Sequence, residues 1–224
     1  MFTQKKVRIV LAVLVFVVVV FMTGCGGAYK ASGQYKRDLL LNRVEKARQC
    51  HERAKNQFEV VLANYADIID ANAGDIRNEY NKLNRECKRA RKISKDIYRK
   101  VKDVEDIGKP LFRNWEDELG EYNNEAIRRS SEEQLDITRR NYLKLVHSIK
   151  STEGKTAVVL ASVNDQVLFL SHNLNTKALT AFKKEVASLK LQVNGLVKHM
   201  QNAINEAEDF VDENGSVVLT KLEE

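Results

Sequence analysis

Four long segments of the chain have apolar residues that recur alternately three and four positions apart, and this spacing limits the possible folds. The segments run from Leu40 to Ile68, from Ile76 to Val104, from Leu135 to Leu170 and from Leu179 to Phe210. A repeat of 3.5 residues keeps one stripe of a helix turned toward a partner helix, as in coiled coils. The chain also has one proline and 30% charged residues, which suits long helices with narrow apolar stripes. The sequence therefore predicts an all-α fold.

The interruptions between these segments predict where the chain turns. Asn72-Ala73-Gly74-Asp75 follows the first segment, with a Gly to end one helix and an Asp to cap the next. Gly108-Lys109-Pro110 is expected to end the second helix, because a proline cannot continue it. Ser130 or Ser131 is expected to cap a later helix, and residues 171–175 turn the chain back again. Long helices joined by such short turns lie antiparallel, so we predict about five helices arranged as antiparallel coiled-coil hairpins.

This prediction divides the chain into six parts. They are a signal peptide at 1–24, a lipidated tether at 25–33, a first helical hairpin at 34–108, a short-helix connector at 109–130, a second helical hairpin at 131–211 and a flexible tail at 212–224.

The N-terminus has a basic patch, an apolar run and small residues before a cysteine, which together are typical of a lipoprotein signal peptide. The apolar run from Ile9 to Met22 is shorter than the roughly 20 residues that a membrane-spanning helix needs. Met22-Thr23-Gly24-Cys25 resembles the bacterial lipobox, whose cysteine is acylated. We therefore predict acylation of Cys25 and anchoring on the outer membrane, facing the periplasm, since Gly26 is not the Asp of an inner-membrane retention signal. The alternative is an uncleaved signal anchor with an ordinary thiol.

The two other cysteines, Cys50 and Cys87, are predicted to be free. They lie at unequal distances from the turn near Ala73, and a rise of 1.5 Å per residue offsets them by about 13 Å along the hairpin. A disulfide needs Cα atoms within roughly 7 Å of each other. Both thiols are therefore expected to pack as small apolar residues.

No pattern in the sequence points to catalysis, a cofactor or a metal. Gly154-Lys155-Thr156 matches the end of a nucleotide-binding loop, but Ile149 stands where that loop needs a second glycine, and no strand precedes it. The four histidines have no second histidine three or four residues away to complete a metal site. Nucleic acid is disfavoured by the predicted compartment. We expect neither an enzyme nor a protein that binds nucleotides.

Two regions are candidates for contact with other molecules. The first is a set of basic residues on the second helix, which are Lys88, Arg89, Arg91, Lys92, Lys95 and Arg99. They either form a solvated face balanced by nearby carboxylates or attract anionic lipid or cell-wall polymer. The second consists of Trp115 with the polar loop of His172, Asn173 and Asn175. They either contact a partner, or Trp115 fills a helix junction and the loop residues cap helix ends.

The chain resembles an uncharacterised family of bacterial helical lipoproteins, domain of unknown function 2959, over roughly residues 25–211. The segments that carry the resemblance are Lys36-Arg37-Asp38, Val44-Glu45, Ala47-Arg48, Trp115-Glu116-Asp117-Glu118-Leu119, Arg128-Arg129-Ser130-Ser131, Asp165-Gln166-Val167-Leu168-Phe169-Leu170 and His172-Asn173-Leu174-Asn175. The resemblance implies no activity.

We therefore expect a non-enzymatic, lipid-anchored periplasmic scaffold that contacts a protein partner, or further copies of itself, through its helical faces. The alternative is a protein that binds the envelope surface through the basic face of its second helix.

Overall fold

A computed structural model describes the backbone of residues 3–71, 75–174 and 176–219, and the side chains of residues 33–71, 75–174, 180 and 182–215. This part of the chain forms four helices and contains no strand. The helices are α1 (Thr3–Asp70), α2 (Ile76–Leu119), α3 (Glu125–His172) and α4 (Thr176–Leu219). The chain divides into two compact units, Met1–Leu39 and Leu40–Glu224. Within the residues searched, no helix has both the length and the apolar content needed to cross a membrane. The all-α prediction is confirmed.

The apolar stripes predicted from the sequence form the core of the second unit. Among their described residues all are buried except Tyr80, which is half-buried, and they join one continuous cluster from Leu40 to Phe210. Burial of a large apolar side chain stabilises a fold by about 1.5–3 kcal/mol, so this cluster supplies most of the driving force for folding. Cys50 and Cys87 belong to this core as free, fully buried thiols.

Side-chain contacts show that successive helices run in opposite directions. Between α1 and α2, residue numbers rise on one helix as they fall on the other. The contacts are Arg43 with Asp103 at 3.8 Å and Gln57 with Glu86 at 3.0 Å. Between α2 and α3 the same reversal is seen, with Glu105 paired to Lys150 at 3.3 Å and Glu116 paired to Arg139 at 2.6 Å.

The last helix closes the arrangement. It runs antiparallel to α3, with Lys144 paired to Glu206 at 2.9 Å and Ser162 bonded to Gln192 at 3.1 Å. It also returns to α1, with Arg48 paired to Glu208 at 3.0 Å and Lys55 bonded to Gln201 at 2.9 Å. Residues 40–215 therefore form one four-helix bundle with a shared core.

The prediction of a separate connector at 109–130 is wrong, because α2 continues through Pro110 to Leu119. A proline inside a helix leaves the carbonyl four residues before it without its backbone donor and disfavours the helix by about 3 kcal/mol. Here Leu111 and Phe112 are buried immediately after the proline, and the Phe112 ring packs 4.9 Å from that of Tyr142. Tertiary packing thus maintains the helix, and the described residues form four helices instead of the five predicted.

The predicted caps at Ser130 and Ser131 are also wrong. Helix α3 begins earlier, where the Asn124 side chain accepts hydrogen bonds from the backbone N–H groups of Ala126 and Ile127 at 2.9 and 3.2 Å. These bonds satisfy two of the donors that a helix start leaves free. The two serines lie inside the helix.

The helices extend further at both ends of the chain than the sequence predicts. Residues 26–33, predicted as part of a tether, are helical, and so are residues 212–219 of the predicted tail. The buried Phe210, and the Asn141 side chain of α3, which donates to the Glu213 carboxylate at 2.5 Å, hold the end of α4 on the bundle. The predicted turn at Ala73-Gly74 lies outside the described residues. Asp75 does precede α2, but its side chain forms no capping bond.

Candidate functional site

The positive charge of the chain is concentrated on the first part of α2. Residues 76–102 contain eleven basic and three acidic residues, a net charge of +8, whereas the chain as a whole has +6. The rest of the chain is therefore net acidic. Charge sorted in this way creates a local field that attracts anions even where the total charge is small.

Part of this basic segment lines a groove between α2 and α3. The groove has a volume of about 670 Å³, and Lys92, Lys95, Tyr98 and Arg99 line its α2 side together with Ser94 and Asp96. Its α3 side is lined by Glu153, Gly154 and Ala157. We call this concavity the basic groove. Gly154 and Ala157 contribute little side chain to its α3 side, and a Cβ atom added at Gly154 would meet nothing within 4 Å.

Three of the candidate cations have no acidic partner among the described residues. Arg89 pairs with Glu86 at 2.6 Å, and Arg99 pairs with Asp96. In contrast, the exposed side chains of Lys88, Lys92 and Lys95 form no ion pair within the described part of the chain. These three lysines remain available to an external anion. Burial raises the pKa of the Cys87 thiol to about 12. The half-buried Arg91 beside the core partly offsets this rise in pKa.

Trp115 joins the end of α2 to the start of α3. Its indole N–H donates to the Ser131 hydroxyl at 3.0 Å, and the side chain is half-buried against the core. Nearby, the guanidinium of Arg139 pairs with Glu116 and lies 5.7 Å from the centre of the Phe112 ring. Trp115 thus fills the junction between two helices, which is one of the two roles considered for it.

The polar loop lies at the C-terminal end of α3. His172 is exposed in the last turn, and Asn173 ends the helix with its side chain donating to the Phe169 carbonyl at 2.9 Å. The Asn173 amide therefore acts as a helix cap. Asn175 lies outside the described residues.

Trp115 and this loop do not form one contact region. Trp115 is bonded to Ser131, and His172 lies 41 residues further along the same helix. At 1.5 Å per residue, the two are separated by about 60 Å. The basic groove lies between them.

The described residues do not include the side chain at the predicted lipidation site, and the weak nucleotide motif does not form a phosphate-binding loop. Cys25 lies in the backbone of α1, but its side chain is outside the described residues. Gly154-Lys155-Thr156 lies within α3, where the Thr156 hydroxyl is buried and donates to the Thr152 carbonyl at 2.8 Å. Among the residues searched, no three His, Cys, Asp or Glu side chains cluster as metal ligands would.

The core contains polar groups that the sequence did not reveal. His51 is fully buried, and its Nδ1 lies 2.8 Å from the Ala47 carbonyl, while Nε2 has no partner in the described part of the bundle. Burial lowers the pKa of His51, so the folded protein holds it neutral. The sequence does not show this, because a histidine at a stripe position does not reveal how completely its neighbours cover it.

A row of exposed apolar residues on α3 was also missed. Leu168 is 61% exposed, and the exposed Ala157 and Ala161 lie eleven and seven residues before it on the same side of the helix. Their spacing is helical, but their row is offset from the core stripe. Marking the apolar residues on the side of α3 away from the core stripe would have found this second row.

A family model described as "Protein of unknown function (DUF2959)" matches residues 27–214 of the chain. No curated protein and no solved structure matches it.

Proposed function

The chain belongs to the DUF2959 family of proteins of unknown function, and from this premise we propose that it is a non-enzymatic, lipid-anchored scaffold of the periplasm. The observation that carries the proposal is a long bundle in which Cys50, Cys87 and His51 are buried while apolar side chains are exposed on its outer faces. A rigid bundle of this kind presents helical faces to a partner. The coiled-coil hairpins predicted from the sequence would supply that rigidity.

The start of the family match supports the anchoring part of this proposal. The matched region begins at residue 27, two residues after Cys25. Such a boundary is expected if the shared part of the family is the mature protein after signal cleavage. Several acyl chains on one cysteine, at about 0.8 kcal/mol per buried methylene, hold a protein firmly on a membrane.

Labelling in cells tests the anchor. Cells that express the full chain and are fed radiolabelled palmitate should yield a labelled protein in the outer-membrane fraction. The variant Cys25→Ser should lose the label and leave that fraction. An unlabelled parental protein would refute the anchoring proposal.

Photo-crosslinking in intact cells tests the scaffold. A photoreactive residue at Leu191, which is 75% exposed on α4, should give one discrete adduct of the same mass in repeated preparations. The same residue at the exposed position Lys190, about 100° around the same helix from Leu191, serves as the control on a different face. Identical adduct patterns at both positions, or none at Leu191, would argue against a partner on this face. Placing the probe at His172 tests the polar loop separately.

A second candidate function is contact of the basic face of α2 with an anionic envelope surface. It is favoured by Lys88, Lys92 and Lys95, which are exposed and unpaired among the described residues. A lipid-free chain that starts at Ala28 should sediment with anionic vesicles or with cell-wall sacculi at low salt, and binding should weaken as salt is raised. No sedimentation with either would eliminate this candidate.

A further inference from the structure

The unpaired lysines of α2 and the exposed apolar row of α3 lie on the same side of the bundle. The basic groove brings Lys92, Lys95 and Tyr98 next to Gly154 and Ala157. Ala161 and Leu168 lie one and three helical turns beyond Ala157, so they share its side of α3. Together these residues define what we call the α2–α3 face, which consists of Lys88, Lys92, Lys95, Tyr98, Ala157, Ala161 and Leu168.

The antiparallel register aligns the two rows. Lys150 of α3 is level with Glu105 of α2, since the two side chains pair at 3.3 Å. Eighteen residues further along α3 is Leu168, and seventeen residues back along α2 is Lys88. Leu168 is therefore close to level with Lys88, just as Ala157 is with Tyr98 in the groove. A cationic row and an apolar row thus run side by side along the bundle.

The apolar members of this face are well exposed. Tyr98 is 56% and Leu168 is 61% exposed, and neither is needed to complete the core. A single exposed apolar residue on a monomer needs no explanation, but a row flanked by unpaired lysines has the pattern of surfaces that lie in a membrane interface. Lysine stems add apolar area while their ammonium groups reach lipid phosphates, and tyrosine is enriched at the head-group level.

We propose that the α2–α3 face binds an anionic lipid surface, with Tyr98 and Leu168 entering the head-group region and Lys88, Lys92 and Lys95 on lipid phosphates. This inference rests on the second candidate function and deepens it, because it names lipid as the ligand and α3 as part of the contact. Charge favours this occupant: the face belongs to a helix segment of net charge +8 in a chain that is otherwise acidic. The two carboxylates in the groove do not oppose it strongly, since Asp96 is paired with Arg99 and Glu153 is half-buried.

The test uses single labelled cysteines on the lipid-free chain that starts at Ala28. Among the described residues, the buried core side chains lie between Leu40 and Phe210, so this chain retains that core. It lacks Cys25, and its native Cys50 and Cys87 are fully buried, so neither competes for the dye. An environment-sensitive dye is attached at Leu168→Cys or, as the matched control, at Leu191→Cys on α4, which is 75% exposed.

On addition of phosphatidylglycerol vesicles, the dye at residue 168 should gain at least twofold in emission, shift to the blue and be quenched by spin-labelled lipid. The dye at residue 191 should change little, and phosphatidylcholine vesicles should have no effect on either. Equal responses at the two positions would overturn the proposal, since they would indicate adsorption without a preferred face.

Substitutions separate this inference from the function on which it rests. Lys88→Gln, Lys92→Gln and Lys95→Gln together should lower vesicle binding at least tenfold, whereas Lys183→Gln, Lys184→Gln and Lys190→Gln on α4 should not. Tyr98→Ser with Leu168→Ser should lower binding at least fivefold, whereas Leu191→Ser should leave it within twofold. All of these positions are exposed, so the helical content should not change.

The outcomes are distinct. If the lysine substitutions abolish binding but the dye at residue 168 does not respond, the contact is electrostatic only, and the inference fails while the second candidate stands. If the chain sediments with cell-wall sacculi and not with vesicles, the ligand is a polymer and the inference is overturned. If it sediments with neither, both fail.

Discussion

Replacing Gly108 by Ala should destabilise the bundle, although alanine favours helices. Gly108 is buried on α2, and a Cβ atom added there would overlap Cε2, Cζ and the hydroxyl oxygen of Tyr142 on α3. The Tyr142 ring has little room to move, because it is 4% exposed and packs between Phe112 at 4.9 Å and Phe210 at 6.4 Å. The close approach of α2 to α3 therefore requires glycine at this position.

The magnitude follows from two opposing effects. Alanine in a helix interior is favoured over glycine by about 1 kcal/mol. Extra atoms in a well-packed core cost about 1–3 kcal/mol. We expect a net loss of up to about 2 kcal/mol in the free energy of unfolding for Gly108→Ala. Gly154→Ala is the matched control, since it lies in α3 with open space around the added Cβ, and it should gain up to about 1 kcal/mol.

Guanidinium denaturation followed by helical circular dichroism at 222 nm measures both changes. A double-mutant cycle with Tyr142→Leu identifies the cause, because Gly108→Ala should become neutral or stabilising once the ring is absent. Tyr142→Phe should not restore stability, since Cε2 and Cζ are still present. Equal stabilisation by Gly108→Ala and Gly154→Ala would refute the reasoning.

Four further predictions concern single contacts. Lowering the pH from 7.5 to 5 should reduce the melting temperature, because burial depresses the pKa of His51 and only the unfolded chain then gains its proton; His51→Leu should shrink this difference, and an unchanged difference would exclude His51 as a cause. Ser131→Ala should cost about 0.5–1.5 kcal/mol in the free energy of unfolding by removing the Trp115 bond, whereas Ser130→Ala, at an exposed position one residue earlier, should cost nothing measurable. Asn124→Ala should cost about 1 kcal/mol because it removes the cap of α3, with Asn123→Ala as the control that must behave differently. Cys50 and Cys87 should react with a thiol reagent only after unfolding, since both are buried and burial raises both thiol pKa values; fast reaction of the native protein would contradict their placement.

The apolar spacing alone was enough to predict an all-α fold and nearly all of the core residues. A position such as Phe58 or Val193 repeats in phase with its neighbours, and this repeat depends only on which side of its own helix is buried. The end of α3 followed the same local logic, since the helix stops at His172 beside the capping Asn173. The burial of Cys50 and Cys87 could be predicted because both lie on the stripe.

The tertiary structure decided the features that depend on residues far apart in sequence. Pro110 is a helix breaker by local rules, but the packing of Phe112 on Tyr142 carries α2 past it, and Gly108 has its role only because α3 lies against it. The separation of Trp115 from His172, and the alignment of the α2 lysines with Leu168, follow from the antiparallel register of α2 and α3. Periodicity records the buried side of one helix, whereas the pairing of side chains between helices sets which surfaces come together.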